Sequence, residues 1–168
     1  MPRPRSGARR PAVRRPARAT TPPPDVAVAR AGTRAGLAAN DTARIVRLVL
    51  GAEHARGVSV SVTYVGNARM RALNMRHFRR RGDTDVIAFA LPGPGAAIAG
   101  DVYVSPDAAR TAADALGISV REEVMRLVVH GVLHVLGYDH PDGTARLTSP
   151  MWRRQEALLA RARSAVRA

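Results

Sequence analysis

Between Val58 and Val65 the chain reads VSVSVTYV, with an apolar side chain at every second position. That alternation suits a strand with one buried and one polar face. Elsewhere the apolar positions recur every three to four residues. Ile45, Leu48, Val49 and Ala52 make the stripe of a helix expected to be capped by Asn40 or Asp41, residue types that satisfy the free N–H groups of a first turn. Met70, Leu73 and Asn74 lie on a second helix behind an Asn67 cap. Asp85–Leu91 (DVIAFAL) reads as a buried strand, and after a Pro-Gly loop Asp101–Ser105 reads as its hairpin partner. Ser105-Pro106 starts a helix to Leu116, and a longer one runs from Val120 to Leu136, where Gly137 stops it. A last amphipathic helix covers Met151–Val166, and Val26–Ala31 fits a short edge strand. No regular βαβ repeat is visible, so the expectation is one compact α+β domain with a small mixed sheet over residues 25–168.

Composition narrows the chemistry. Arg or Asp interrupts every apolar stretch before the ~18 residues that a membrane span needs. A secretory signal is missing too, so no membrane role and a cytoplasmic location are expected. The chain has no cysteine. That excludes disulfides, thiolate metal sites and cysteine nucleophiles, and leaves histidine and carboxylate to hold any transition metal. The net charge is +14, carried entirely by arginine among the basic residues, and a field this positive favours polyanions. Residues 1–24 hold seven Arg, seven Pro and no acid. They read as a disordered basic tail, since so many prolines forbid a helix or a paired strand.

Three of the five histidines fall in HGVLHVLGYDH, residues 130–140. His130 and His134 are one turn apart on the same helical face. Gly137 ends the helix and lets His140 return as a third ligand. Three neutral imidazoles leave a tetrahedral zinc ion one open position, as in catalytic sites. The spacing H-x₃-H-x₂-G-x₂-H is that of the metzincin zinc proteases, so a metzincin-like zinc helix with one Zn²⁺ per chain is expected. The glutamate that serves as base in H-E-x-x-H is replaced by Gly131. Glu122 and Glu123 lie two turns upstream, which leaves Glu156 of the last helix as the nearest alternative.

The string HGVLHVLGYDH, together with Leu73-Asn74, Thr84–Phe89, Gly100-Asp101-Val102, Met151 and Glu156, resembles the YbeY family of bacterial zinc-dependent endoribonucleases. These blocks span residues 73–156, half of the chain. The resemblance implies zinc on His130, His134 and His140 and cleavage of single-stranded RNA. It further implies maturation of the 3′ end of small-subunit ribosomal RNA, ribosome quality control, and the small ribosomal subunit and its proteins as partners. Two positions depart from the family pattern: His77-Phe78 replaces an aromatic-Arg pair, and Asp83 replaces a proline. Arg79, next in line, is the candidate for the displaced catalytic arginine.

Residues 69–81 carry six Arg and no acid, and Arg76, Arg79, Arg80 and Arg81 are the expected RNA-binding residues. Guanidinium forks grip phosphate oxygens in pairs. With so few aromatic residues, weak sequence reading is expected. Two other readings compete with the nuclease. One is a zinc metallopeptidase or amidase, opposed by Gly131 and the charge. The other is a non-enzymatic RNA-binding assembly factor.

Overall fold

Alternation makes β2 (Val58–Val65) an inner strand, and its neighbours follow from which faces are apolar. The computed structural model describes residues 24–34, 36–93 and 97–166. Apart from Pro24, the Arg- and Pro-rich segment 1–24 lies outside them. The other elements are β1 (Asp25–Ala31), α1 (Ala39–Ala52), α2 (Asn67–Phe78), β3 (Val86–Pro92), β4 (Ile98–Val104), α3 (Pro106–Leu116), α4 (Val120–Val135), a 3₁₀ turn (Gly143–Thr148) and α5 (Pro150–Ala165). The sheet order is β1-β2-β4-β3, with β1, β2 and β4 parallel and β3 antiparallel to β4. The chain therefore contains a βαβ crossover, β1-α1-β2, which local periodicity did not reveal.

Period 2 sorts the sheet into two faces. Val58, Val60, Val62 and Tyr64 of β2 join Val102 and Val104 of β4 in the main core, against α1, α4 and α5. On the opposite face Val65, Ile87, Phe89 and Tyr103 meet Met70 and Leu73 of α2. Elsewhere on that face Ser61 donates to Asp101 at 2.6 Å. Helix α4 is apolar nearly all round and packs against α1, α3, α5, β3 and β4. A helix with that pattern belongs in the middle of a domain.

Three local expectations need correcting. Ala38, not Asn40 or Asp41, occupies the α1 cap; Thr42 donates to the Ala38 carbonyl, and Asp41 pairs with Arg121 at 3.1 Å. Gly66 precedes α2, and Asn67 instead accepts a hydrogen bond from Ser105 at 2.7 Å. The strand read as buried is an edge strand: in β3 only Ile87 is buried, and Ala90–Pro92 are exposed. With one neighbour and a free side, its far end has nothing to pack against. By contrast, Ser105, Ser119 and Ser149 cap α3, α4 and α5 through their hydroxyls, and Gly137 ends α4 with φ of 87°. Among the described residues, no helix is long and apolar enough to cross a membrane.

Candidate metal centre

Helix α4 presents His130 and His134 at its C-terminal end, and the turn at Gly137 returns His140 to them. The Nε2 atoms of His130 and His134 are 3.0 Å apart, and those of His130 and His140 are 3.4 Å apart. One ligand atom from each of the three lies within 4.8 Å of the others. Zn–N bonds of ~2.0–2.1 Å in a tetrahedron place nitrogens about 3.3 Å apart. The spacing fits.

Hydrogen bonding decides which nitrogen of each ring is free. The Nδ1 atoms of His134 and His140 face the carbonyls of Tyr138 (2.9 Å) and Pro141 (3.0 Å). His130 Nδ1 faces Oε1 of Gln155 at 2.7 Å. The orientation of that amide is fixed because its Nε2 donates to a carboxylate oxygen of Glu156 at 3.1 Å. All three partners only accept, so Nδ1 carries the hydrogen on every ring. Three unprotonated Nε2 lone pairs then converge with no hydrogen between them. Such an arrangement is repulsive without a cation at its centre and suits a metal ion. Burial adds to this by disfavouring the imidazolium: it lowers the His130 pKa to about 4 and that of His134 below its ordinary value, with the neighbouring imidazoles adding a smaller push in the same direction.

The supports of these rings are anchored in turn. Gln155 is buried on α5, and Arg126 donates to Glu156 at 3.2 Å and to Glu123 at 2.7 Å. Tyr138 donates its hydroxyl to Glu53 at 2.6 Å, and Arg154 donates to the other Glu53 oxygen at 2.6 Å. Burial alone would raise the Glu53 pKa; the hydrogen bonds from Tyr138 and Arg154 outweigh it and hold the carboxyl below its usual range. The loop after α4 is thereby tied to both α1 and α5. Sequence reading missed Gln155, Arg126 and the Tyr138 carbonyl. Replacing Gln155 by leucine, of similar size but without an acceptor, is expected to weaken zinc binding roughly 10- to 100-fold. A competition titration with a chromophoric chelator measures this, and an unchanged affinity would remove Gln155 from the site.

Gly131 has a packing reason. A Cβ there would lie 2.4 Å from Val102 Cγ1 and 3.2 Å from Val86 Cγ2. The position faces the sheet and has no room for a carboxylate. Gly131→Ala is expected to lower stability by up to about 2 kcal/mol, because overpacking costs about 1–3 kcal/mol against a ~1 kcal/mol gain in helix propensity. Urea denaturation checks it; a more stable variant would contradict the packing. Glu156, the alternative to the missing base, is occupied by Arg126, as is Glu123, and Glu122 pairs with Arg163.

The histidines stand where two lobes of an open cleft meet, of about 640 and 630 Å³. Arg80 and Phe78 line the second lobe, with Asn74, Asp139 and Asp142. Arg79 is the residue after α2, in the left-handed conformation with φ of 52°. Arg76, Arg79, Arg80 and Arg81 are all exposed, and of the four only Arg80 lines the cleft. His77 packs on the Phe89 ring at 4.8 Å, and His54 ends α1 in a left-handed turn.

Fold and site together define a class: α+β domains with a three-histidine cluster, able to hold a metal ion, on one helix and the loop after it. A family model described as Endoribonuclease YbeY matches residues 33–163, and the chain belongs to that family. It is 40% identical over 116 residues to the Endoribonuclease YbeY of Geobacillus kaustophilus, covering 62% of this chain and 73% of that one. With the Endoribonuclease YbeY of Chlorobaculum tepidum it shares 33% identity over 121 residues, 72% of this chain and 86% of the relative. A solution structure of a Thermotoga maritima protein shares the fold, with a TM-score of 0.59 at 23% identity over 84% of this chain and 91% of that one.

Proposed function

We propose that the chain is a zinc-dependent endoribonuclease that cleaves single-stranded RNA. In this reading it acts in the cytoplasm, in maturation of the 3′ end of small-subunit ribosomal RNA and in ribosome quality control, with the small ribosomal subunit and its proteins as partners. The observation that carries the reading is the convergence of three unprotonated Nε2 atoms at the floor of an open cleft, in a chain that belongs to the Endoribonuclease YbeY family. A zinc ion on those imidazoles supplies Lewis-acid polarisation and brings the pKa of water toward ~7. Gln155 and the Tyr138 and Pro141 carbonyls hold the rings in one tautomer and one orientation. Arg80 stands on the wall where a phosphate approaching the histidines would pass, and takes part of its charge. The other arginines of the run attract the strand from farther out, with Arg79 as the second candidate to reach the scissile phosphate. The lack of space for a carboxylate at Gly131 favours a phosphodiester over a peptide as substrate.

Cleavage of a labelled single strand, its duplex and a peptide panel by the zinc-loaded chain tests the reading. Cutting confined to the single strand supports it, and peptide turnover without RNA cleavage would refute it. Neutralising Arg79, Arg80 and Arg81 together is expected to weaken RNA binding and to flatten its dependence on log salt by up to about 2 units, at ~0.7 per lost phosphate contact. An unchanged affinity and slope would make the run a solvated surface only.

A further inference from the structure

The two lobes of the cleft differ in chemistry. The larger one, about 640 Å³, runs from the histidines between α4, the 3₁₀ turn and α5, and its walls are largely Leu116, Ile118, Leu127, Leu147, Met151 and Trp152. Leu116 and Leu147 are 61% and 46% exposed, so two of the largest exposed apolar side chains gather at one cavity. Its two carboxylates are already engaged. Glu123 pairs with Arg126 at 2.7 Å, and Asp85 accepts from the Val86 N–H at 2.8 Å. Arg146, on the 3₁₀ turn, also lines the lobe and makes no ion pair among the described residues. A bare phosphate finds little here to bind; a flat, uncharged, aromatic group with a phosphate attached finds both an apolar slot and a free guanidinium. The slot opens onto the histidines, so a group held in it can be joined to whatever sits above them.

We propose that this lobe is a nucleobase subsite: one unpaired base next to the scissile phosphate stacks on Trp152 between Leu116 and Leu147, and Arg146 meets the adjoining phosphate. The inference rests on the RNA reading above and deepens it. Stacking on an indole is tolerant of base identity, because every base presents a π-face. A paired base cannot enter, since its edges and faces are committed to the helix. The subsite therefore gives a physical reason for preferring single strands that needs no sequence-specific hydrogen bonds.

Trp152 is the only tryptophan of the chain, so tryptophan emission, excited selectively over tyrosine, reports on this lobe. The zinc-loaded full chain is titrated with an end-labelled, non-cleavable 2′-O-methyl hexanucleotide and with an abasic strand of equal length, following label anisotropy and tryptophan emission together. The base-bearing strand is expected to quench Trp152 and to bind about tenfold more tightly than the abasic one. Trp152→Ala removes that difference between strands, and Trp152→Phe, which keeps a stacking face, retains most of it. Binding by anisotropy with unchanged emission, and an undiminished preference in Trp152→Ala, would overturn the subsite while leaving RNA binding intact. No anisotropy change with either strand would overturn the RNA reading and the subsite with it.

Discussion

Alanine at His134 is expected to empty the metal centre, leaving well under one zinc per chain after dialysis where the unmodified protein keeps about one. Two imidazoles remain in this variant, and His130 loses the neighbour whose Nε2 lies 3.0 Å away. Removal of an outer partner already costs roughly 10- to 100-fold in metal affinity, and the loss of a direct ligand exceeds that. His130→Ala and His140→Ala should behave alike. His130 is partly buried against Gln155, so folding is followed in each variant to separate metal loss from unfolding. Elemental analysis beside circular dichroism measures both. Stoichiometric zinc in all three variants would refute the site.

The second large effect is a loss of stability in acid by the metal-free chain. Burial holds His130 down at about 4 in the folded state, against about 6.5 when unfolded. The unfolded chain therefore takes up this proton first as pH falls, and stability drops between pH 6.5 and 4. At ~1.4 kcal/mol per pKa unit the full effect is about 3 kcal/mol. Above pH 6.5 both states hold a neutral ring and this contribution is level. Glu53, whose pKa is lowered, adds loss in the same direction as it is protonated, whereas Glu123, raised by burial, opposes it. Comparing urea midpoints at pH 7 and pH 4.5 in the parent and in His130→Gln isolates the histidine. A parent no more acid-sensitive than the variant would contradict the burial argument. In the zinc-loaded chain the same protons compete with the metal, so acid also releases it.

Much of this architecture is written locally. The β2 alternation, the Ser-Pro start of α3 and the glycine that ends α4 each act within a few residues, and each element formed where its pattern lies. The three histidines were legible for the same reason: a helical turn and a glycine bend suffice to bring them together. Strand partners are not local. Nothing in Val26–Ala31 states that it pairs in parallel with β2 across α1, and so the βαβ unit was missed. Nor does a short apolar run reveal whether a second strand will cover its outer side, which is why β3 read as buried. Gln155 had a signal: it falls on the buried stripe of α5 with Met151, Leu158, Leu159 and Ala162. A polar residue in an apolar stripe needs a partner, here His130. The Tyr138 carbonyl had none, because any residue supplies one. Gly131 was visible as a missing glutamate, but its cause lies on β4, about thirty residues earlier in the chain, at Val102.

Metal content and cleavage can be followed in one sample. Zinc is stripped with a chelator and returned in steps, and at each step bound zinc and the rate of single-stranded RNA cleavage are measured together. The stripped chain is expected to cleave nothing, and the rate to rise in proportion to occupancy and level at one zinc per chain, with His134→Ala inert throughout. Undiminished cleavage by the stripped chain, or none by the chain holding one zinc, would contradict zinc-dependent cleavage.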